Sequence, residues 1–421
     1  KSDCAVRLMT EQTLAQLANF LRELGRALHV SGAPAHDLEA AMNSIGQRLG
    51  ARVEGLAVLT FLALTVGAGE HTRRVELLRL PPYDYNMARL IELNALCREI
   101  SSADDLSHYS DRLAAIMGQP APWSGWRFVA MGFVLSASVA LLLGGGWIEM
   151  FCGGLIGTCC VAGCQLFSRT PRLGPAVPVM LCAFAAMAAQ MLAYFLPQQV
   201  PFISVVAGIV YLLPGFMITI AMSELATQNF LAGTGRLTGA FVLLFLMGAG
   251  LAIGTQLCLA LLPAIPSHGE LATLPAWAIW VAIAGLGVSL LAVLQAPISS
   301  VNVSVGACLL AWAVYSLVNV RMGNVVGAFA GALAVSSAGH LYHYLSKRPA
   351  ALVQIPGLIT LVPGSMGFRG VHALIQQDSS AGVSLITDMV MTGAVLAVGL
   401  LLADNILPLL FERQRENKKS A

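Results

Sequence analysis

The sequence predicts an α-helical polytopic membrane protein in which ten transmembrane helices form two inverted five-helix repeats behind a small cytoplasmic N-terminal α/β domain. Three observations lead there. Of 421 residues, 57% are hydrophobic and 11% charged, and the mean hydropathy is +0.74, a balance that belongs to chains lying mostly in lipid. Residues 1 to 122 nevertheless hold 12 of the 24 Lys and Arg and 14 of the 22 Asp and Glu, so a water-facing segment comes first. Finally, the stretch YLLPGFM, Tyr211 to Met217, returns as TLVPGSM, Thr360 to Met366. One offset lays Gly208 on Gly357, Leu212 on Leu361, Pro214 on Pro363, Gly215 on Gly364 and Met217 on Met366.

The N-terminal domain, residues 1–122, opens on an amphipathic helix. Leu14, Leu17, Ala18, Phe20, Leu21, Leu24 and Leu28 fall at helical spacing between Glu11 and Val30, and Ser31-Gly32-Ala33-Pro34 ends the run. Pro34 suits a first helical turn, and His36 to Leu49 reads as a second helix. Val53 to Val66 and Thr72 to Leu80 then read as a β-hairpin around Gly67-Ala68-Gly69-Glu70. Helices over Tyr85 to Ile100 and Asp104 to Met117 complete the module. The chain opens on Lys1 without a signal-peptide pattern and reads as a trimmed N-terminus.

From Trp123 onward ten apolar runs follow, at 127–144, 147–167, 176–196, 202–223, 238–262, 276–295, 301–320, 323–345, 350–368 and 383–408, each close to the roughly 20 residues that cross a bilayer. Residues 123–265 form the first repeat, 266–410 the second and 411–421 a cytoplasmic tail. Segments on one side carry Arg127, Arg169, Arg172, Arg236, Lys347, Arg348, Arg413, Arg415, Lys418 and Lys419, whereas the other side carries Arg321 and Arg369. The excess of cations places both termini in the cytoplasm, and the membrane expected is the plasma (inner) membrane. Five crossings are an odd number, so the second repeat enters the membrane in the opposite sense. Pro214 and Pro363 both fall about 18 to 20 Å into their runs at 1.5 Å per residue, approached from opposite faces.

A Pro-Gly step removes an amide donor and opens the backbone. In lipid such a break persists only where protein packs it or a wet cavity lies beside it, and paired breaks in two halves point to a transporter's binding site. The substrate-binding candidates are therefore Pro214, Gly215, Phe216, Met217, Thr219, Ser223, Thr360, Pro363, Gly364, Ser365 and Met366. The amides of Phe216, Met217, Ser365 and Met366 open half-helices whose positive ends suit a carboxylate. The hydroxyls of Thr219, Ser223, Thr360 and Ser365 add donors, unless they bond back to their own helices. Intramembrane acids are functional candidates by default. Glu224 and Asp388, each following a break, are the ion-coupling candidates, while Glu149 and Asp404 read as helix-terminal or interfacial groups. Histidine as a residue type suits proton coupling near neutral pH, but His340, His343 and His372 lie near the water interface. Gln190, Gln256 and Asn302 are placed to line a path or to bond between helices, and Gly323, Gly327 and Gly331 read as a close helix contact.

Other function classes find little support. The net charge of +2 and the absence of a basic run with interleaved aromatics exclude a nucleic-acid partner. The nine cysteines, Cys4 to Cys308, lack zinc-site spacing, and Cys159, Cys160 and Cys164 read as small packing residues, so neither a metal nor a disulfide framework is expected. No cofactor motif appears, and without a Walker A sequence ATP would need another subunit. No HExxH occurs, nor a GxSxG in a catalytic setting, so the chain is not expected to be an enzyme. The partners expected are a small-molecule substrate and the lipid bilayer, with a homo-oligomer left open.

In order and spacing the residues resemble the threonine/serine exporter family. The resemblance rests on Ser31-Gly32-Ala33, Gly145-Gly146-Trp147, Leu213-Pro214-Gly215-Phe216 followed by Glu224 and Gly235-Arg236, and Val362-Pro363-Gly364 in the second half. It implies a cytoplasmic N-terminal domain, two five-helix halves and efflux of a small carboxylate-bearing metabolite such as threonine or serine. The inverted halves point to alternating access, and the membrane gradient, with protons as the default, is the expected energy source. Split members of the family are associated with succinate, so a dicarboxylate exporter is the alternative, and a passive channel for small carboxylates a further one. Glu224 departs from the expected aspartate, and Asp388 stands where related second halves can carry asparagine.

Overall fold

The computed structural model describes residues 11–58, 60–68, 72–81, 85–102, 105–168, 170–261, 274–346, 348–362 and 364–420. Cys4, Gly69, Glu70, Asp104, Arg169, Lys347 and Pro363, all used above, lie outside them. The chain divides into two compact units: Lys1–Pro122 with Thr227–Gly235 and Leu294–Pro297, and Trp123–Ala226 with Arg236–Val293 and Ile298–Ala421.

The first unit runs α1 (Glu11–Val30), α2 (Ala35–Arg48), β1 (Arg52–Ala57), β2 (Phe61–Ala68), β3 (Thr72–Arg79), α3 (Met87–Glu99) and α4 (Leu106–Gly118). Leu14, Leu17, Leu21, Leu24 and Leu28 of α1 are buried. The helix lies so close to β2 that a Cβ at Gly25 would stand 2.6 Å from Leu62 Cδ2. Ser31-Gly32-Ala33 ends α1 because Gly32 takes φ +91°, a left-handed cap that lets the Ala33 amide donate to Leu28 O at 3.0 Å. The expected hairpin is instead a three-stranded antiparallel meander in the order β1-β2-β3. The run 53–66 folds back on itself, with the Val58 amide donating to Phe61 O at 3.0 Å. Residues 57–61 contain no Gly, Pro, Asn or Asp, so the usual turn chemistry is missing there.

The second unit contains α5 (Gly125–Leu142), α6 (Trp147–Phe167), α7 (Val177–Phe195), α8 (Pro201–Gly208), α9 (Gly215–Ala226), α10 (Phe230–Leu261) from Arg236 onward, α11 (Trp277–Val293), α12 (Val301–Met322), α13 (Asn324–Ser346), α14 (Ala351–Leu361), α15 (Gly364–Ile375) and α16 (Ser379–Ser420). Among the described residues, 8 helical stretches are long and apolar enough to cross a membrane. The pair Pro201–Gly208 and Val210–Ala226, bent by 47°, makes a ninth if counted as one, and α11 is apolar but shorter. The protein is thus polytopic and mostly helical. Both halves share a local register: the offset that carries Gly215 onto Gly364 also carries the first residue of α10 onto that of α16. It carries Gln228, φ 65°, onto Gln377, φ 66°, a left-handed residue in the turn after each short helix.

Small residues let these helices approach closely. Added Cβ atoms at Gly327 and Gly331 would stand 3.0 Å from Tyr315 O and 3.1 Å from Ala311 O, so α13 packs on α12 as the glycine spacing predicts. Some polar groups in this unit are tied to backbone. Glu149, 4% exposed, accepts from the Gly146 amide at 2.7 Å and from the Val200 amide at 2.9 Å. It caps α6 and fastens the turn that leads into α8. Glu149→Ala strands two amides in an apolar setting and should lower stability by about 1–3 kcal/mol per lost charged bond; Glu149→Gln, which keeps an acceptor, should lose less in a thermal-shift comparison of the purified proteins.

Candidate functional site

Proline forces the residue before it into extended backbone, and both breaks begin that way. Leu213 has φ −66°, ψ 126° and Val362 has φ −67°, ψ 132°. Each is followed by a short helix of 12 residues, α9 and α15. Their first residues meet: a Cβ on Gly215 would collide with Val362 Cγ1 and stand 2.9 Å from Gly364 Cα, and one on Gly364 would stand 3.0 Å from Gly215 Cα. Only glycine allows this approach. The side chains that follow cross over. Phe216 packs with Ala328, Ala332, Leu358 and Leu396 of the second half. Met217 and Met366 both pack on a cluster that joins Ile218, Leu244 and Met247 to Phe368 and Val371.

Buried polar groups gather behind the first break. Thr219 is 1% exposed, and its hydroxyl has no hydrogen-bond partner among the described residues. Ser223 is buried one turn further on, next to Glu224. Glu224 receives both arms of a guanidinium, with Arg236 Nε 3.0 Å from Oε2 and Nη2 2.9 Å from Oε1. Side-chain exposures of 1% and 6% make it a buried ion pair between the end of α9 and α10. In the second half, Thr360 donates to Pro356 O at 3.0 Å, so its hydroxyl is engaged within its own helix. Gly364 is buried and Ser365 and Met366 are half-buried. Asp388 lies exposed on α16 beside the buried Met389 and forms no ion pair among the described residues. Gln256 and Asn302 are exposed as well. Asp404 and His340, read as interfacial, meet at 2.7 Å.

One feature had no sequence signal. A cavity of 380 Å³ opens among α7, α8, α10 and α15, lined by residues that include Gln190, Phe202, Thr255, His372 and Gln376. The His372 imidazole stacks on Phe202 at 4.7 Å between centroids. The volume and the few polar groups on apolar walls suit a small polar solute. Gln190 was identifiable as a polar residue within a span, but the void depends on how four helices diverge.

Removing one member of a buried ion pair leaves the other charge uncompensated. Arg236→Gln should destabilise the purified protein by about 3–5 kcal/mol, read by thermal unfolding. The double variant Glu224→Gln, Arg236→Gln should recover part of that loss.

Comparison with known proteins bears on the whole of this arrangement. Residues 19–258 match a family model described as "Putative threonine/serine exporter", and residues 277–406 match a second, "Threonine/Serine exporter, ThrE". A "Probable threonine/serine exporter" of Mycobacterium tuberculosis is 28% identical over 76% of this chain and 62% of its own length. A "Threonine/serine exporter" of Corynebacterium glutamicum is 27% identical over 76% of this chain and 67% of its own. "Pheromone-regulated membrane protein 10" of Eremothecium gossypii is 24% identical over 88% and 51%. The chain thus spans between about half and two thirds of the length of these curated relatives. No solved structure gives a significant match. The first family model alone takes in more than half of the chain, and the chain belongs to the threonine/serine exporter family.

Proposed function

We propose that the protein is a secondary active transporter that exports threonine and serine across the plasma membrane by alternating access, driven by the proton gradient. In this reading α11 and the bent α8–α9 pair are crossings, ten in all. The two five-helix halves, residues 123–265 and 266–410, are inverted, and the N-terminal domain, residues 1–122, and the tail face the cytoplasm. The observation that carries the proposal is the backbone contact of Gly215 with Gly364, which joins two broken helices at one place.

The substrate carboxylate would lie at the amides that open α9 and α15, Phe216 and Met217 on one side and Ser365 and Met366 on the other, where the positive ends of the two helix dipoles favour negative charge. Pro214 and Pro363 set the breaks, and Thr219 and Ser223 supply hydroxyls to the bound solute. Thr360, bonded to its own helix, contributes shape rather than a donor. Glu224 couples through the opening of its pair with Arg236, and Asp388 is the second acid to test.

Uptake of radiolabelled threonine, serine and succinate into inverted membrane vesicles tests the reading, because export then becomes accumulation. Gradient-dependent accumulation of threonine or serine is expected. Accumulation of succinate alone would move the assignment to a dicarboxylate exporter, and equilibration without accumulation would indicate a channel. At the contact itself, Gly215→Val and Gly364→Val should each reduce threonine uptake at least tenfold. Thr219→Val should raise the KM for threonine about two- to tenfold, the value of one hydrogen bond, without lowering thermal stability, since the valine removes an unpartnered hydroxyl. An unchanged KM would show Thr219 to be a packing residue.

A further inference from the structure

His340, Gln354 and Asp404 converge from three helices of the second half. Asp404 Oδ1 lies 2.7 Å from His340 Nε2 and accepts from Gln354 Nε2 at 3.0 Å. The side chains of His340 and Asp404 are 19% and 36% exposed. α13 and α14 are pressed together beside them, since a Cβ on Gly339 would stand 2.7 Å from Gln354 Cγ and 3.1 Å from Ala350 O. One turn before His340, Ser336 is fully buried, and its hydroxyl has no partner among the described residues.

The register of the two halves gives the cluster its meaning. The offset that lays Gly215 on Gly364 lays Gln190 on Gly339, Val205 on Gln354 and Thr255 on Asp404. Gln190, Val205 and Thr255 all line the cavity of the first half. Two of the three cluster residues, Gln354 and Asp404, thus correspond to cavity-lining positions, while His340 corresponds to Met191, next to the lining residue Gln190.

We propose that His340 and Asp404 form a proton-binding site that closes the cytoplasmic end of the second half when occupied and opens it when the proton leaves. This rests on the inverted-repeat transporter reading above. When protonated, the His340 imidazolium donates through Nε2 to the Asp404 carboxylate, and Gln354 donates to the same oxygen. Loss of the second ring proton, from Nδ1 to water, leaves a neutral imidazole with one N–H and removes the positive charge facing Asp404. Histidine is the side chain that makes this exchange between pH 5 and 8.

Other ionisable groups nearby are accounted for. α14 and α11 carry none. On α12, Cys308 donates to Pro356 O and Tyr315 to Asn324 Oδ1, and Arg321 lies in the last turn, away from the cluster in sequence. On α13, Tyr342, His343 and Tyr344 flank the site, with His343 Nδ1 2.7 Å from Arg348 O. On the elements that pack on α16, Glu224 of α9 is paired with Arg236, and α15 carries Arg369 and His372. Asp388 is exposed further along α16.

Two measurements on the full chain in liposomes test the proposal. The first follows labelling of a Ser336→Cys variant by a small maleimide, quantified on that peptide by mass spectrometry. Each rate is divided by that of the same cysteine in the unfolded chain at the same pH, which removes the thiolate's own pH dependence. So divided, labelling should be several-fold faster at pH 8.5 than at pH 5.5 and lose this dependence in His340→Gln and Asp404→Asn backgrounds. Equal divided rates at the two pH values in the Ser336→Cys parent would overturn the proton site, whatever the cargo. The second compares threonine counterflow, which needs no gradient, with gradient-driven accumulation. Asp404→Asn should keep at least half of the counterflow and lose accumulation tenfold or more. Equal loss of both would reduce the cluster to a structural tie and overturn the proposal, as would unchanged accumulation. Absence of counterflow in the unmodified protein would instead count against the threonine reading and leave the labelling result to decide the proton site.

Discussion

A peptide group without a hydrogen bond costs several kcal/mol in hydrocarbon, and a Pro-Gly step frees such groups partway along a membrane helix. The contact of Gly215 with Gly364 lets two such steps share one protected place. Each break is walled by the other half. Phe216 reaches into the cluster around Leu358 and Leu396, and Met366 packs against the one around Leu244 and Met247. The fold of the membrane unit therefore depends on two residues with no side chain, and much of the apolar packing nearby serves to hold their backbones together.

Three acids of this unit face three different kinds of partner. Glu149 is neutralised by backbone donors and Glu224 by a guanidinium, whereas Asp404 meets a histidine and an amide. A guanidinium stays protonated at any physiological pH, so the pair at Glu224 responds to movement rather than to acidity. A histidine partner responds to acidity as well. The three acids thus differ in the chemistry of what they face, although a hydropathy plot shows them as similar interruptions of apolar runs.

Much of the membrane unit was legible because apolar runs and Pro-Gly steps are local signals, and helices lie where those runs were found. The reversal between β1 and β2 escaped because residues 57–61 contain no Gly, Pro, Asn or Asp, and a long apolar run looked like one strand. The partners of Glu224 and Asp404 were harder to read. Arg236 lies on the next helix, and His340 lies two helix reversals before Asp404, so spacing gives no distance between them. The pairing of two costly charges is a physical expectation, and applied to His340 and Asp404 it would have moved both away from the interfacial reading. Voids leave no mark in a sequence at all, and the cavity beside His372 belongs to the divergence of helices rather than to any residue.

Glu149 also bears on how the protein is made. Its bond to Gly146 is local and forms as soon as α6 does, but its second donor, Val200, is 51 residues downstream. Until α7 has been threaded and the chain has turned toward α8, one carboxylate oxygen waits at the membrane boundary without its amide. An intermediate that stops after α6 therefore carries an acid with one of its two amide donors, and such an acid is costly to bury in lipid. Completion of the α6 cap is thereby tied to synthesis of the chain as far as Val200.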